Sequence, residues 1–150
     1  MKRKDRKNKG FTLVELVVVM VIIGILATIA VPMYSGYVQR SRAQEGVALA
    51  GSVASAQKVW YAEHREFRPV GLTYFDRMLG VDGRGNTHFQ EYEVTTSGVG
   101  DDAAFHVVIG GTSPQTDGMR VEARGGATRN TVVGVWDVDN TQISGPDPFQ

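Results

Sequence analysis

Apolar side chains fill the chain between residues 11 and 34, and between residues 16 and 31 the only polar side chain is Thr28. As one helix, these 24 residues would rise about 36 Å, enough to cross a hydrocarbon core of roughly 30 Å. The pattern predicts a helix that is apolar on every side. Its one charged side chain is Glu15. A carboxylate at membrane depth costs roughly 2.5–3.5 kcal/mol on insertion scales, so it marks either a function or a position near the headgroups.

A second helical pattern continues from residue 35 to residue 64. Apolar side chains recur there at the spacing of one helix face, and they are Ala43, Val47, Ala50, Ala54 and Tyr61. Pro32 removes a backbone donor and predicts a kink, and Gly24 is a second weak point. We therefore expect one helix of about 54 residues, apolar all round in its first half and amphipathic in its second.

Beyond residue 65 the pattern changes to short alternating segments. Arg68 and Pro69 predict the end of the helix, and residues 72–79 are compatible with a short helix. Four strands are then predicted between turns rich in glycine, serine, threonine and asparagine, at residues 89–96, 103–109, 119–123 and 131–138. The expected fold class is α+β, with a long N-terminal α-helix packed against a C-terminal antiparallel β-sheet of about four strands.

Charge is divided unevenly along a chain whose formal net charge is zero. Residues 1–10 carry six basic side chains and one acid, whereas the other 140 residues carry 10 basic and 15 acidic side chains. Lys and Arg beside a membrane segment stay in the cytoplasm, so we expect the N-terminus there and the residues after about 35 outside. The acidic remainder argues against nucleic-acid binding, whose affinity comes mainly from cations on phosphates.

The residue types also limit the chemistry. The absence of cysteine excludes a disulfide framework and cysteine-ligated zinc. Without a nucleophile elbow, a phosphate loop or metal-ligand spacing, no enzymatic activity is expected. A cleaved secretory signal peptide shares the basic start and the apolar run. Against that alternative, the run is longer than an ordinary signal segment, and Ala27 and Ala30 do not form an A-x-A site.

Residues 9–15 (KGFTLVE), after the basic leader and before the apolar stretch, resemble the class III signal of type IV pilins and type II secretion pseudopilins. The resemblance implies that a prepilin peptidase cuts between Gly10 and Phe11 and methylates the new amino group of Phe11. It further implies that Glu15 pairs with the N-terminal ammonium of a neighbouring subunit during assembly. Local melting of the helix between Gly24 and Pro32 is expected in the filament, with a generic transmembrane kink as the alternative.

The same resemblance implies an organisation and a function. Its parts would be a cleaved leader (residues 1–10), a transmembrane and assembly helix (11–34), an amphipathic helix half (35–64) and a globular α+β head (65–150). The expected role is a structural subunit of a type IV pilus-like filament, serving motility, adhesion or DNA uptake. Expected partners are further copies in a helical filament, the prepilin peptidase, an assembly platform and minor pilins. The subunit would first be single-pass in the inner membrane.

Two alternatives to a surface pilus stay open. A type II secretion pseudopilin would build a short periplasmic filament from the same N-terminal chemistry. A membrane-anchored binding domain that never polymerises would need neither Gly10 before Phe11 nor Glu15. A minor pilin that primes or caps filaments is a further variant of the pilus-subunit interpretation.

A metal site is the last candidate. Asp137, Asp139 and Asn140 place oxygen side chains at alternating positions, which suits Ca²⁺, although they could simply end a strand. No other cofactor is expected. His88 and His106 have no partner that the sequence reveals.

Overall fold

A computed structural model describes residues 10–136 and the backbone of residues 142–144. The chain divides into two compact units, residues 1–37 and residues 38–150. One helix, α1 (Leu13–His64), contributes residues to both and contains Pro32 within its span. The long helix predicted from the hydrophobic pattern is therefore confirmed.

The C-terminal end of α1 is fixed by backbone geometry. Arg65 has a positive φ of 61°, and its N–H donates to the carbonyl of Tyr61 at 2.8 Å. A left-handed residue just after a helix satisfies carbonyls that the helix leaves free. Pro69, four residues further on, cannot continue a helix. The chain thus leaves α1 in a defined direction and enters the sheet.

The unit formed by residues 38–150 contains a six-stranded antiparallel sheet. Its order across the sheet is β1 (Val70–Thr73), β4 (Tyr92–Ser97), β5 (Ala104–Gly110), β6 (Arg120–Gly126), β7 (Val132–Trp136) and β8 (Gln142–Ser144). A separate hairpin pairs β2 (Phe75–Asp76) with β3 (Val81–Asp82). The α+β class is confirmed, and the sheet has two strands, β1 and β8, beyond the four predicted.

The short helix predicted over residues 72–79 is wrong. The segment instead holds the end of β1, strand β2 and a turn. The carboxylate of Asp76 accepts hydrogen bonds from the N–H groups of Met78 (2.7 Å) and Leu79 (3.0 Å), and so closes the turn locally. Pairing of Val70 with Val94 supplies long-range backbone partners that a lone helical turn would lack. Side-chain capping and strand pairing therefore override the local helical pattern.

The core lies between the sheet and the second half of α1. Alternate residues of β5, namely Phe105, Val107 and Ile109, are buried on the face that meets α1. Gly46 allows the closest approach, because a Cβ there would lie 2.8 Å from Val121 Cγ2 and 3.0 Å from the Phe89 ring. The odd-numbered positions of β5 thus face α1, and the even-numbered ones face the opposite side of the sheet.

Candidate processing and assembly segment

The start of α1 is closed by a reciprocal pair of side chains. Glu15 Oε2 accepts hydrogen bonds from the Thr12 N–H (2.9 Å) and the Thr12 hydroxyl (2.8 Å), and the Glu15 N–H donates to Thr12 Oγ1 at 3.3 Å. This is a capping box, which satisfies backbone donors that the first helical turn leaves free. Sequence reasoning missed Thr12, although a threonine three residues before a glutamate is the signal of this motif.

Both donors from Thr12 share one oxygen of the carboxylate. Within residues 10–136, no hydrogen bond reaches Glu15 Oε1. Glu15 also stands in the first turn of α1, where the helix dipole favours a negative charge. The arrangement holds the carboxylate in place and leaves one oxygen for an incoming cation.

The proposed cleavage site lies just ahead of this cap. Gly10 is exposed, and Phe11 is 88% exposed. A Cβ built on Gly10 meets no other atom within 4 Å, so the described structure does not require a glycine there. Any demand for a small residue at position 10 must then come from a molecule that binds this segment.

Among the described residues, none packs over the apolar first part of α1. Every large apolar side chain between residues 11 and 37 is 50–88% exposed. By length and composition, α1 can cross a membrane. Apolar surface of this extent needs either lipid or other protein chains around it.

Around Gly24 and Pro32 the chain is helical throughout. The Thr28 hydroxyl donates to the Gly24 carbonyl at 2.9 Å, and the Ser35 hydroxyl donates to the Pro32 carbonyl at 2.8 Å. Such bonds from Ser and Thr often accompany helix bends. Local melting in a filament stays a prediction.

The candidate calcium ligands Asp137, Asp139 and Asn140 lie outside the described residues. Among the residues that the structure does describe, no three His, Asp or Glu side chains are grouped so that they could hold a metal ion. Calcium binding by the three candidates stays a prediction.

His88 and His106 do have partners, which the fold brings from distant parts of the chain. His88 Nδ1 lies 2.8 Å from the Ser113 hydroxyl, and His106 Nε2 lies 3.1 Å from Glu122 Oε2. His64 stacks on Trp60 with ring centroids 3.9 Å apart. The first two contacts join strands and loops of the head, whereas the stack lies within α1.

Residues 5–31 match the family described as the prokaryotic N-terminal methylation motif. The N-terminal part of the chain thus carries a prokaryotic N-terminal methylation motif. This match includes the capping box of Thr12 and Glu15 and most of the exposed apolar part of α1. The resemblance to type IV pilins predicted from residues 9–15 is confirmed.

Several fimbrial proteins are similar to part of the chain. A fimbrial protein of Dichelobacter nodosus is 62% identical over 80 residues, which are 53% of this chain and 48% of the relative. The fimbrial protein EcpC of Eikenella corrodens is 51% identical over 56 residues, 37% of each chain. A type IV major fimbrial protein FimA of Dichelobacter nodosus is 62% identical over 43 residues, 29% of this chain and 27% of the relative.

The chain thus spans about half the length, or less, of the curated relatives it matches. No solved structure matches the chain.

Proposed function

We propose that this chain is a prepilin whose processed form is a structural subunit of a type IV pilus-like filament. The observation that carries the proposal is the exposed apolar surface of α1, placed directly behind a capped Glu15 and a cleavage motif. Such a surface is stable in lipid before assembly and in a bundle of identical helices afterwards. The fimbrial names of the similar proteins support a filament rather than a lone anchored domain.

Processing would convert the segment into its assembly form. Cleavage between Gly10 and Phe11 by a prepilin peptidase creates an ammonium on Phe11, which that enzyme methylates. The open surroundings of Gly10 support this step, because the small residue serves the peptidase and not the fold. The division into leader, assembly helix, amphipathic half and head at residues 10, 34 and 64 belongs to this proposal.

Glu15 would then set the position of one subunit against the next. Its carboxylate is already held by Thr12, so little side-chain freedom is lost when the Phe11 ammonium of a neighbour approaches Oε1. Opposite charges attract far more strongly in a dry helical bundle than in water, and a carboxylate buried there without a cation is penalised. The pair therefore favours one axial register between subunits.

The proposal includes a location and a set of partners. The precursor would span the inner membrane once with its N-terminus in the cytoplasm, and the processed subunit would then enter an extracellular filament. An assembly platform and minor pilins would join it there, and the filament would serve motility, adhesion or DNA uptake. The role is structural and involves no catalysis by this chain.

The type II secretion pseudopilin is the second candidate function. The same cap and apolar surface support it, since both kinds of filament need a membrane-stored subunit. Location separates the two, because a pseudopilus stays in the cell envelope whereas a pilus is released by shearing.

Intact-mass analysis of protein sheared from the host surface tests the proposal. We expect a chain that begins at Phe11 with one added methyl group. In a Gly10→Val strain we expect the uncut precursor in the membrane, whereas Gly36→Ala, at another glycine with open space around it, should be processed normally. A processed chain confined to the envelope would favour the pseudopilin, and a mature chain that still begins at Met1 would overturn both filament functions.

A further inference from the structure

The loop between β5 and β6 contains a β-turn centred on Asp117 and Gly118. The Thr116 carbonyl accepts the Met119 N–H at 2.9 Å, and this hydrogen bond closes the turn. Gly118 has a positive φ of 79°, as the third residue of a type II turn requires. The closing bond of such a turn joins its first and last residues. The peptide bond between Asp117 and Gly118 therefore lies at the tip of the turn, outside the closing bond.

The carboxylate of Asp117 and the N–H of Gly118 are not held by other protein groups in the described part of the chain. Both residues are exposed. Within residues 10–136, the Asp117 carboxylate forms no hydrogen bond or ion pair, and the Gly118 N–H donates to no acceptor. Water therefore solvates both groups, and the Asp117 side chain can change its rotamer without breaking a contact of these kinds.

The same dipeptide occurs at Asp82 and Gly83, where the fold holds both groups. The Asp82 carboxylate accepts hydrogen bonds from Arg84 through its backbone N–H (3.0 Å), Nε (2.9 Å) and Nη2 (2.6 Å). The Gly83 N–H donates to the Tyr74 carbonyl at 2.9 Å, and Gly83 is buried. One Asp-Gly pair is thus restrained on both sides of the peptide bond, whereas the other is not.

An Asp-Gly pair can rearrange its own backbone without an enzyme. The glycine nitrogen attacks Cγ of the protonated aspartate side chain and loses its proton, while the Cγ–OH bond breaks and water leaves. The product is a cyclic succinimide, and it forms most readily before glycine, which has no Cβ to crowd the nitrogen. Water then opens the ring. Breaking the bond from nitrogen to Cγ restores aspartate, whereas breaking the bond from nitrogen to the main-chain carbonyl carbon gives isoaspartate.

We propose that Asp117 is a site of spontaneous conversion to isoaspartate in the folded chain and that Asp82 is protected from it. The attack requires the carboxyl carbon to rotate toward the amide nitrogen, and no hydrogen bond among the described residues opposes this motion at Asp117. At Asp82 the same motion must first break the bonds from Arg84, so the reaction there depends on local opening. The proposal is independent of leader cleavage and of filament assembly.

Conversion at Asp117 would change the loop as well as the residue. Isoaspartate adds one methylene to the main chain between Thr116 and Met119, so the hydrogen bond that closes the turn loses its geometry. The new residue also presents its α-carboxylate on an exposed turn. Methyltransferases that act on isoaspartate recognise this group, so the modified loop is a substrate for methyl transfer. In a subunit that is not replaced, the modified fraction rises with time.

Ageing of the full chain in maltoside micelles at near-neutral pH tests the proposal. An isoaspartate-specific methyltransferase with a labelled methyl donor marks the product, and trypsin separates the two sites onto the peptides of residues 78–84 and 85–120. We expect label to accumulate on the 85–120 peptide about tenfold faster, or more, than on the 78–84 peptide. In urea, where the fold is lost, the two rates should become similar.

Asp117→Glu and Asp82→Glu are the matched variants. A glutamate side chain would have to close a larger ring, which forms far more slowly, so Asp117→Glu should remove most of the label from the 85–120 peptide. Asp82→Glu should leave that label unchanged. Both positions are exposed, so the head should fold in each variant, and circular dichroism verifies this.

Four results would overturn the proposal. The first is an aged, folded chain without label on the 85–120 peptide. The second is labelling of the 78–84 peptide at the same rate in the folded chain. The third is label that persists in Asp117→Glu, because it would then belong to another residue of that peptide. The fourth is an equally large difference between the two peptides in urea, since the difference would then come from the local sequence and not from the fold.

Discussion

Gln57 on α1 binds both backbone polar groups of Arg68, the residue that leads the chain into the sheet. Its Nε2 donates to the Arg68 carbonyl at 2.6 Å, and its Oε1 accepts from the Arg68 N–H at 2.9 Å. Gln57 is fully buried. The Gln57 amide thus satisfies the backbone N–H and carbonyl of Arg68, as a neighbouring strand would.

Gln57→Ala should destabilise the head by about 2–4 kcal/mol, because it leaves two backbone groups of Arg68 without their partners. Chemical unfolding of the full chain in micelles, followed by circular dichroism, measures the change. Gln44→Ala is the control, since Gln44 is an exposed glutamine on the same helix. Equal shifts of the two unfolding midpoints would contradict the role given to Gln57.

Two glycines of α1 should respond in opposite directions to alanine. Gly46→Ala should lower the free energy of unfolding by about 1–2 kcal/mol, because the added methyl overlaps Val121 and Phe89. The cost of this overlap exceeds the gain in helix propensity from glycine to alanine. Gly51→Ala, where nothing lies within 4 Å of the new Cβ, should raise stability by roughly 0.5–1 kcal/mol. Thermal unfolding of the pair measures both, and a stabilised Gly46→Ala would refute the close packing described for α1.

Glu45 joins α1 to the segment before β4. Its carboxylate accepts hydrogen bonds from the backbone N–H groups of Thr87 and His88, the latter at 2.8 Å. Glu45→Gln should speed hydrogen exchange of these two amides, because a neutral amide oxygen is a weaker acceptor than a carboxylate. Glu63→Gln, an exposed change on the same helix, should leave them protected. Unchanged exchange in Glu45→Gln would count against the contact.

Arg84 lowers the pKa of Asp82 from 3.8 to about 2 through side-chain and backbone hydrogen bonds. Because the folded pKa is depressed, this pair stabilises the folded head above pH 4, and its contribution fades as the pH falls from about 4 to about 2. A carboxyl titration by NMR should show the low value, and Arg84→Gln should return it toward 3.8. An Asp82 that titrates normally with Arg84 present would rule out the pairing.

The sequence predicts features that depend on neighbouring residues better than contacts between residues far apart in the chain. The apolar run that ends near Pro32 and the stripe that includes Ala50 and Ala54 were sufficient to predict α1, since helix periodicity depends on neighbouring residues. The Thr12 cap depends on an equally local spacing, although it was not predicted. By contrast, the contact of Glu45 with Thr87 depends on the packing of α1 against a distant loop, and the contact of His106 with Glu122 depends on the pairing of β5 with β6. Periodicity encodes neither.

The turn between residues 72 and 79 shows why a local pattern can mislead. Residues in this segment have fair helix propensity, which differs between ordinary residue types by less than about 0.7 kcal/mol. The two hydrogen bonds to Asp76 and the pairing of β1 with β4 outweigh so small a preference. The pairing of β1 could not be assigned before its partner strand was known.

The segment between β5 and β6 is anchored on the carbonyl of His88, which accepts the Thr112 N–H (2.7 Å), the Thr112 hydroxyl (3.1 Å) and the Thr116 hydroxyl (3.1 Å). The chain contains no cysteine, so no disulfide closes this loop and its contacts do not depend on redox conditions. Reductants therefore leave the loop closed, and no oxidant or disulfide isomerase is needed to form it. Because only hydrogen bonds and packing close it, the loop can open and re-form while the head remains folded.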